Sequence, residues 1–174
     1  MDFNFYMPSK VIFGTGSLNK LHKQKLPGKK ALIVTGGTSI KKYGYLNRLE
    51  EELKKANVSY VLFDKILPNP IKDHVMEGAA LAKKENCDFV IGIGGGSSID
   101  SSKSIAVMAA NDGDYWDYIF GGTGKGKAVP NDPLPVVAIT TTAGTGTEAD
   151  PWTVITNGNE KIGFGYEKTY PYLS

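Results

Sequence analysis

The residues best suited to chemistry form a glycine-rich turn, Gly94-Gly95-Gly96-Ser97-Ser98, between the apolar residues 89–93 and a helical segment. Successive glycines carry no side chain that would keep an anion away from the backbone. The N–H groups that open a helix attract negative charge, so the turn predicts a phosphate-binding site. Two other interpretations stay open here. The glycines could serve tight packing alone, and Ser97 with Asp100 fits a capping box, in which the Ser97 hydroxyl satisfies a backbone donor.

Two further polar turns also follow apolar runs. Gly36-Gly37-Thr38-Ser39 comes after residues 31–35, and the threonine-rich residues 140–148 come after residues 134–139. In a parallel sheet the carboxyl ends of the strands meet at one edge, where such sheets bind their ligands. We therefore expect the three turns to lie together at one site.

Other motifs fit poorly. The common dinucleotide fingerprint, Gly-x-Gly-x-x-Gly, is missing because Ser97 stands where its last glycine belongs. Residues 121–127 resemble a P-loop, but Ala128 replaces its metal-binding hydroxyl and Pro130 opposes the helix that should follow. A nearby group of carboxylates lacks the fixed spacing of a metal motif and predicts exposed surface: Asp112, Asp114 and Asp117.

The elements that must position these turns alternate along the chain. Short apolar runs predict strands at 31–35, 89–93 and 134–139, and those at 31–35 and 89–93 are typical of strands buried on both faces. A further strand is predicted at 58–63. Helices are predicted at 17–24 with Ser17 as cap, at 45–57, at 71–85 and at 99–109. This alternation predicts an α/β fold: a Rossmann-like parallel sheet with flanking helices and right-handed crossovers.

Two segments outside this alternation predict additional β-structure. Residues 3–13 mix aromatic and branched side chains around Pro8 and predict an N-terminal β segment, either paired or at an edge. Residues 152–156 and 161–164 flank Asn157-Gly158, which predicts a β-hairpin with a type I′ turn. Residues 111–132 show no period and predict a long loop.

Composition narrows the class of protein. A formal net charge of +2 is too small to indicate a nucleic-acid or membrane partner, and no run reaches the roughly 18 apolar residues of a membrane span. Cys87 is the only cysteine, so neither a disulfide framework nor a thiolate metal site can form, and we expect a cytoplasmic protein. A length of 174 residues predicts one domain.

Four segments together resemble the iron-dependent, or group III, alcohol dehydrogenase family: Pro68-Asn69-Pro70, 94–103, 112–117 and 141–148. Residues 36–44 are most similar to its branch of butanol dehydrogenases and aldehyde reductases. The resemblance implies that residues 1–174 are a dinucleotide-binding domain of an oxidoreductase that interconverts short alcohols and aldehydes.

The resemblance also implies roles for individual residues. The residues expected to wrap the pyrophosphate are Gly94, Gly95, Gly96, Ser97 and Ser98. Those expected to line the adenine and ribose side are Thr141, Thr142 and Thr145, with Asn69 near the adenosine ribose. Asp100 would face the nicotinamide pocket, Lys103 matches the family's lysine after the glycine turn, and Lys161 would contact a cofactor ribose.

The residue after the first predicted strand bears on cofactor choice. Members of the family that select NAD tend to place an aspartate there, which binds the ribose 2′-hydroxyl and repels a 2′-phosphate. This chain has Gly36, followed by Gly37, Thr38 and Ser39, with Lys41 and Lys42 nearby. We therefore expect NADP in preference to NAD, with NAD possible.

The family binds its catalytic Fe or Zn through one aspartate and three histidines in a helical second domain, and the resemblance finds no counterpart of those ligands in this sequence. We therefore expect the metal-binding domain to be absent, and the chain alone to be inactive. Two alternatives remain: a dehydroquinate-synthase-like or glycerol-dehydrogenase-like member, and a non-catalytic binding module. The family also implies a homodimer paired through the N-terminal strand.

Overall fold

The computed structural model describes residues 2–4 and 6–174 and confirms the α/β prediction. A parallel sheet of four strands has the order β2-β1-β3-β4. Its strands are β1 (Lys30–Gly36), β2 (Ser59–Ile66), β3 (Phe89–Gly94) and β4 (Val136–Thr140). The helices are α1 (Ser39–Lys42), α2 (Tyr45–Lys55), α3 (Lys72–Lys84) and α4 (Gly96–Ala110), with short 3-10 helices at Ser17–Lys23, Tyr115–Asp117 and Glu167–Thr169.

The two central strands are apolar because both faces of the sheet are covered. Leu32 and Val90 join the core on the face that carries α3 and α4, whereas Ile33 and Ile91 join the core on the face that carries α2. The edge strand β2 is largely exposed, which explains its mixed sequence. The register aligns Val34 of β1 with Gly92 of β3, so these strands end side by side.

Helix α4 lies deepest in the molecule. Its side chains from Ser98 to Met108 are buried except for Asp100, and it packs against β3, α3 and the hairpin described below. Burial on nearly all sides explains its run of small and apolar residues, and it brings polar side chains such as Lys103 into the interior. No helix in the described part of the chain is long and apolar enough to cross a membrane.

The N-terminal β segment predicted at residues 3–13 differs in the structure. Phe5 lies outside the described residues, and in the rest of the segment only Lys10 forms a bridge, with Leu173. Pro8 has no N–H to donate, and within the described residues the pairing is limited to backbone hydrogen bonds of Lys10 and Ile12 with Ser174, so no ladder forms. Phe3 and Phe13 are therefore left exposed, at 83% and 99%.

The β-hairpin is present, with a different turn. It consists of β5 (Trp152–Asn157) and β6 (Glu160–Gly165), and Asn157 pairs with Glu160. The turn is therefore Gly158-Asn159, one residue later than predicted, and only Gly158 has a positive φ, of 58°. A type I′ turn needs positive φ at both central residues, so that prediction was wrong.

The long loop after α4 is confirmed, and its carboxylates are engaged by lysines. Asp112, Asp114 and Asp117 form ion pairs with Lys83, Lys72, Lys125 and Lys127. Trp116 is buried and donates from its indole nitrogen to Thr123 and Glu160, which ties the loop to β6. Among the described residues, no group of three or more His, Cys, Asp or Glu side chains could hold a metal ion.

Candidate cofactor-binding site

The glycine turn connects β3 directly to α4. Strand β3 ends at Gly94, whose φ of 145° favours glycine, and α4 begins at Gly96 after Gly95 as N-cap. A Cβ atom on Gly94 would lie 2.6 Å from the Ser98 hydroxyl oxygen. Gly94 is therefore required by the fold, whereas Gly95, with a φ of −84°, has no such backbone requirement.

The capping box predicted for Ser97 and Asp100 is absent. The start of α4 has no side-chain cap, because its N-cap residue is Gly95, and the Asp100 carboxylate bonds to Thr147 and to Val154 of β5 instead. The N–H groups of Ser98 and Ile99 donate to the Gly95 carbonyl oxygen, while within the described residues the N–H groups of Gly96 and Ser97 have no partner. These two donors and the helix dipole are what an anion needs.

The threonine-rich turn after β4 lies against the glycine turn, as the sequence predicts. The Thr141 N–H donates to the Gly94 carbonyl oxygen at 2.8 Å. A Cβ atom on Gly95 would lie 3.1 Å from the Thr142 hydroxyl oxygen, and one on Gly96 would lie 3.3 Å from the Thr145 methyl group. Side chains at these glycines would thus press against the threonine turn, so the bare glycine backbone is what allows the two turns to lie this close together.

A cleft of about 450 Å³ opens beside the threonine turn. Its lining includes Phe13, Gly14, Ile139, Thr141 and Thr142. Its volume lies within the usual range for small-molecule sites, about 300–1,000 Å³. The cleft is large enough for one end of a dinucleotide next to the glycine turn.

The turn after β1 reaches the same sheet edge. Thr35 donates to the Ile93 carbonyl oxygen at 2.8 Å, which holds the ends of β1 and β3 together. A side chain at Gly36 would collide with the Ile66 carbonyl oxygen of β2, so glycine is the residue that this strand pairing accepts. The residues that follow, Gly37, Thr38 and Ser39, are exposed.

The lysines expected to supply positive charge near this turn have partners of their own. Lys41 forms an ion pair with Asp64 of β2, and the Lys42 ammonium lies 5.7 Å from the centre of the Tyr43 ring. The pairing with Asp64 neutralises part of the positive charge that the sequence led us to expect Lys41 to offer to the cofactor. The hydrogen bond from Lys41 lowers the pKa of the Asp64 carboxyl group.

Asn69 and Lys161, distant in sequence, meet in the structure. The Lys161 ammonium donates to the Asn69 side-chain oxygen at 2.7 Å, and both residues are exposed. The hairpin reaches Asn69 because the Thr156 N–H donates to the Pro70 carbonyl oxygen at 2.8 Å. Two residues predicted to contact cofactor riboses therefore form one polar surface beyond the end of β2.

Asp100 and Lys103 are linked to the segment between the threonine turn and β5. Asp100 accepts a hydrogen bond from the Thr147 hydroxyl at 2.5 Å and one from the Val154 N–H at 2.9 Å. Burial raises the pKa of Asp100, although these hydrogen bonds oppose the shift. The Lys103 side chain is 0% exposed, and burial lowers its pKa despite the nearby Asp150. The structure thus encloses Lys103, which the resemblance had grouped with the cofactor ligands.

The sequence reasoning did not identify Thr147 and Asp150 as important. Thr147 is buried and contacts both Asp100 and Lys103, and the Asp150 carboxylate accepts from Lys103 and from the Trp152 N–H. Local sequence could not reveal their contacts with α4, because Asp100 and Lys103 lie more than forty residues away in the sequence.

Comparison with known proteins identifies similar sequences and structures. The family model described as iron-containing alcohol dehydrogenase matches residues 8–174. The chain is 39% identical over 176 residues to the probable NADH-dependent butanol dehydrogenase 1 of Bacillus subtilis, covering 99% of this chain and 44% of that protein. It is 37% identical over 177 residues to the NADH-dependent butanol dehydrogenase A of Clostridium acetobutylicum, covering 100% of this chain and 44% of that protein.

The fold is similar to that of solved structures. The crystal structure of NADH-dependent butanol dehydrogenase A from Thermotoga maritima superposes with a TM-score of 0.91 at 35% identity, covering 99% of this chain and 43% of that one. The chain thus spans less than half the length of the relatives that it matches.

Proposed function

Because the chain belongs to the iron-containing alcohol dehydrogenase family, we propose that it binds the nicotinamide cofactor of a metal-dependent enzyme that interconverts short alcohols and aldehydes. The match to this family favours a dehydrogenase over the dehydroquinate-synthase-like alternative. The names of the relatives, which include several butanol dehydrogenases, support a short aliphatic substrate.

One observation carries this proposal: the bare glycine turn at the end of β3, with unpartnered amides at Gly96 and Ser97. The residues present fit a diphosphate, because glycine backbone can approach it closely and the first turn of α4 supplies donors. The Thr142 hydroxyl lies beside Gly95, so it is close enough to the glycine turn to contact the same diphosphate.

The nicotinamide cofactor supplies the hydride chemistry when it is bound. The residues of this chain bind and orient it. The glycine turn would hold the diphosphate, Thr141 and Thr145 would line the adenosine side, and the Asn69–Lys161 pair would meet a ribose. Asp100 would lie toward the nicotinamide; it is near the N-terminal end of α4 and next to β5.

We propose that NADP is preferred to NAD. The support is the absence of a carboxylate side chain at Gly36, since such a group would repel a 2′-phosphate. The ion pair of Lys41 with Asp64 reduces the positive charge available there. The butanol dehydrogenases that the chain resembles have names that state NADH dependence, so this chain would differ from them. Fluorescence titration with NADPH and NADH tests the preference, and tighter binding of NADH would refute it.

Fe or Zn would act in the complete enzyme as a Lewis acid on the alcohol or carbonyl oxygen. The described residues offer no cluster of ligands for such an ion, so none of them is assigned to the metal. We propose that the 174-residue chain alone has no turnover. Butanal reduction with NADPH and added zinc or ferrous ion tests this, and measurable turnover would contradict it.

A second candidate is a dimerising module without catalytic function. It is favoured by the exposure of Phe3, Tyr6 and Phe13 along the N-terminal segment, since exposed aromatic side chains in one segment suit a protein interface. The expected partner is a second copy of the chain, paired through this segment. Light scattering combined with cofactor titration separates the candidates: a dimer that binds no dinucleotide would favour assembly alone.

A further inference from the structure

The Lys103 ammonium is buried at the centre of a hydrogen-bond network formed by protein groups. Its three N–H groups are shared among four acceptors: the Thr147 hydroxyl oxygen at 2.9 Å, the Asp150 carbonyl and carboxylate oxygens at 2.7 and 3.0 Å, and the Trp152 carbonyl oxygen at 3.0 Å. All these acceptors belong to residues 147–152, the segment that leads from the threonine turn into β5. The Lys103 ammonium on α4 therefore holds residues 147–152 in their bent conformation.

Asp100, one helical turn before Lys103, completes the attachment. Its two carboxylate oxygens accept from the Thr147 hydroxyl and from the Val154 N–H. Thr147 thus donates to Asp100 and accepts from Lys103, which uses both capacities of its hydroxyl. A buried ammonium is costly unless it is paired and hydrogen-bonded, and here the Asp100 and Asp150 carboxylates supply the negative charge.

The attached segment carries the site. Gly96 faces Thr145 and Thr147, whose methyl groups would lie 3.3 and 4.0 Å from a Cβ atom on that glycine. Beyond β5, the hairpin carries Lys161 to Asn69. A shift of residues 147–152 would therefore move the threonine turn away from the glycine turn and also displace Lys161.

We propose that Lys103 is a positioning residue of the cofactor site, which holds the threonine turn and the hairpin against α4 and makes no contact with the cofactor. The inference rests on the proposed cofactor binding. It differs from the role implied by resemblance, in which this lysine belonged among the ligands.

The test compares Lys103→Met, Thr147→Val and the double variant with the unchanged chain. Lys83→Met is the matched control, because Lys83 also bonds to a backbone carbonyl and an aspartate, but far from the turns. NADPH affinity is measured by fluorescence. Amide hydrogen exchange without cofactor is measured at Trp152 and Val154, whose N–H groups donate to Asp150 and Asp100.

We expect Lys103→Met to weaken NADPH binding about tenfold and to accelerate exchange at both amides by a similar factor, with Lys83→Met unchanged. The affinity losses of Lys103→Met and Thr147→Val should not add in the double variant, because both act through the same turn. Additive losses with unchanged exchange would show a direct contact and overturn the proposal.

If Lys103→Met does not fold, the same comparison is made with Thr147→Val, which keeps the side-chain volume. Unchanged amide exchange and unchanged NADPH affinity in Thr147→Val would also overturn the proposal. If the unchanged chain binds no dinucleotide, the proposed function fails, whereas the exchange measurement still decides whether Lys103 holds the turn.

Discussion

Replacing Gly95 with alanine should impair cofactor binding while leaving the fold intact. Gly95 has a φ of −84° and a ψ of −172°, which alanine adopts without strain. The added methyl group would lie 3.1 Å from the Thr142 hydroxyl oxygen, so this side chain must move by a few tenths of an ångström. Alanine also restricts the unfolded chain, which stabilises by about 0.4–1 kcal/mol and offsets the crowding.

The functional effect should be larger because the methyl group pushes Thr142 away from the glycine turn, and the diphosphate would be held by both turns. A diphosphate that the two turns no longer hold together loses at least one charge-assisted hydrogen bond, each contributing about 1.5–3 kcal/mol. We therefore expect the NADPH dissociation constant of Gly95→Ala to rise at least about tenfold, and the free energy of unfolding to change by less than about 1 kcal/mol.

The assay pairs NADPH fluorescence titration with thermal unfolding followed by circular dichroism. Gly163→Ala is the matched control, since a Cβ atom there has its nearest contact at 3.8 Å, on Trp152, and the residue is exposed. The control should keep the affinity and melting temperature of the unchanged chain. An unchanged dissociation constant in folded Gly95→Ala would refute the assignment of the glycine and threonine turns to the diphosphate.

Three other substitutions have distinct expected outcomes. Gly94→Ala combines a φ of 145° with a Cβ atom 2.6 Å from a serine hydroxyl, so urea unfolding should show a loss of about 2–3 kcal/mol in stability. Burial alone would raise the pKa of Glu52, but hydrogen bonds from Lys55 and His22 lower it to about 2. The pKa of Glu52 is thus lower in the folded than in the unfolded chain, so the ionised carboxylate stabilises the fold above about pH 4.5. This contribution to the free energy of unfolding is lost as the pH falls toward 2. Urea titrations of Glu52→Gln should therefore lack that acid dependence. Lys161→Ala should weaken NADPH binding severalfold without lowering the melting temperature, because its ion–dipole contact with Asn69 is exposed; an unchanged affinity would remove Lys161 from the site.

The sequence predicted the parallel sheet because burial on both faces leaves a direct mark on composition. The apolar residues around Ile33 and Ile91 are consecutive, and polar turns follow each run. Since parallel strands end at one edge, the meeting of Gly95 with Thr142 also followed from the order of elements.

Features set by tertiary contacts were not predictable in this way. The N-terminal residues have β-type composition, but a strand needs a neighbour along its length, and among the described residues of this segment only Lys10 and Ile12 bond to one. The capping box at Ser97 fits a local pattern, yet Asp100 bonds to Val154 of a hairpin that sequence patterns cannot place beside α4. Lys103 looks like a surface lysine until burial of α4 is known.

The most direct test of the account is a nitrogen-15 NMR titration of the chain, whose mass is 18.8 kDa, with NADP. If the glycine turn binds the diphosphate, the amide signals of Gly95, Gly96 and Ser97 should shift most, together with those of Thr142 and Thr145. Saturation with NADP that moves other amides and leaves these signals in place would contradict it.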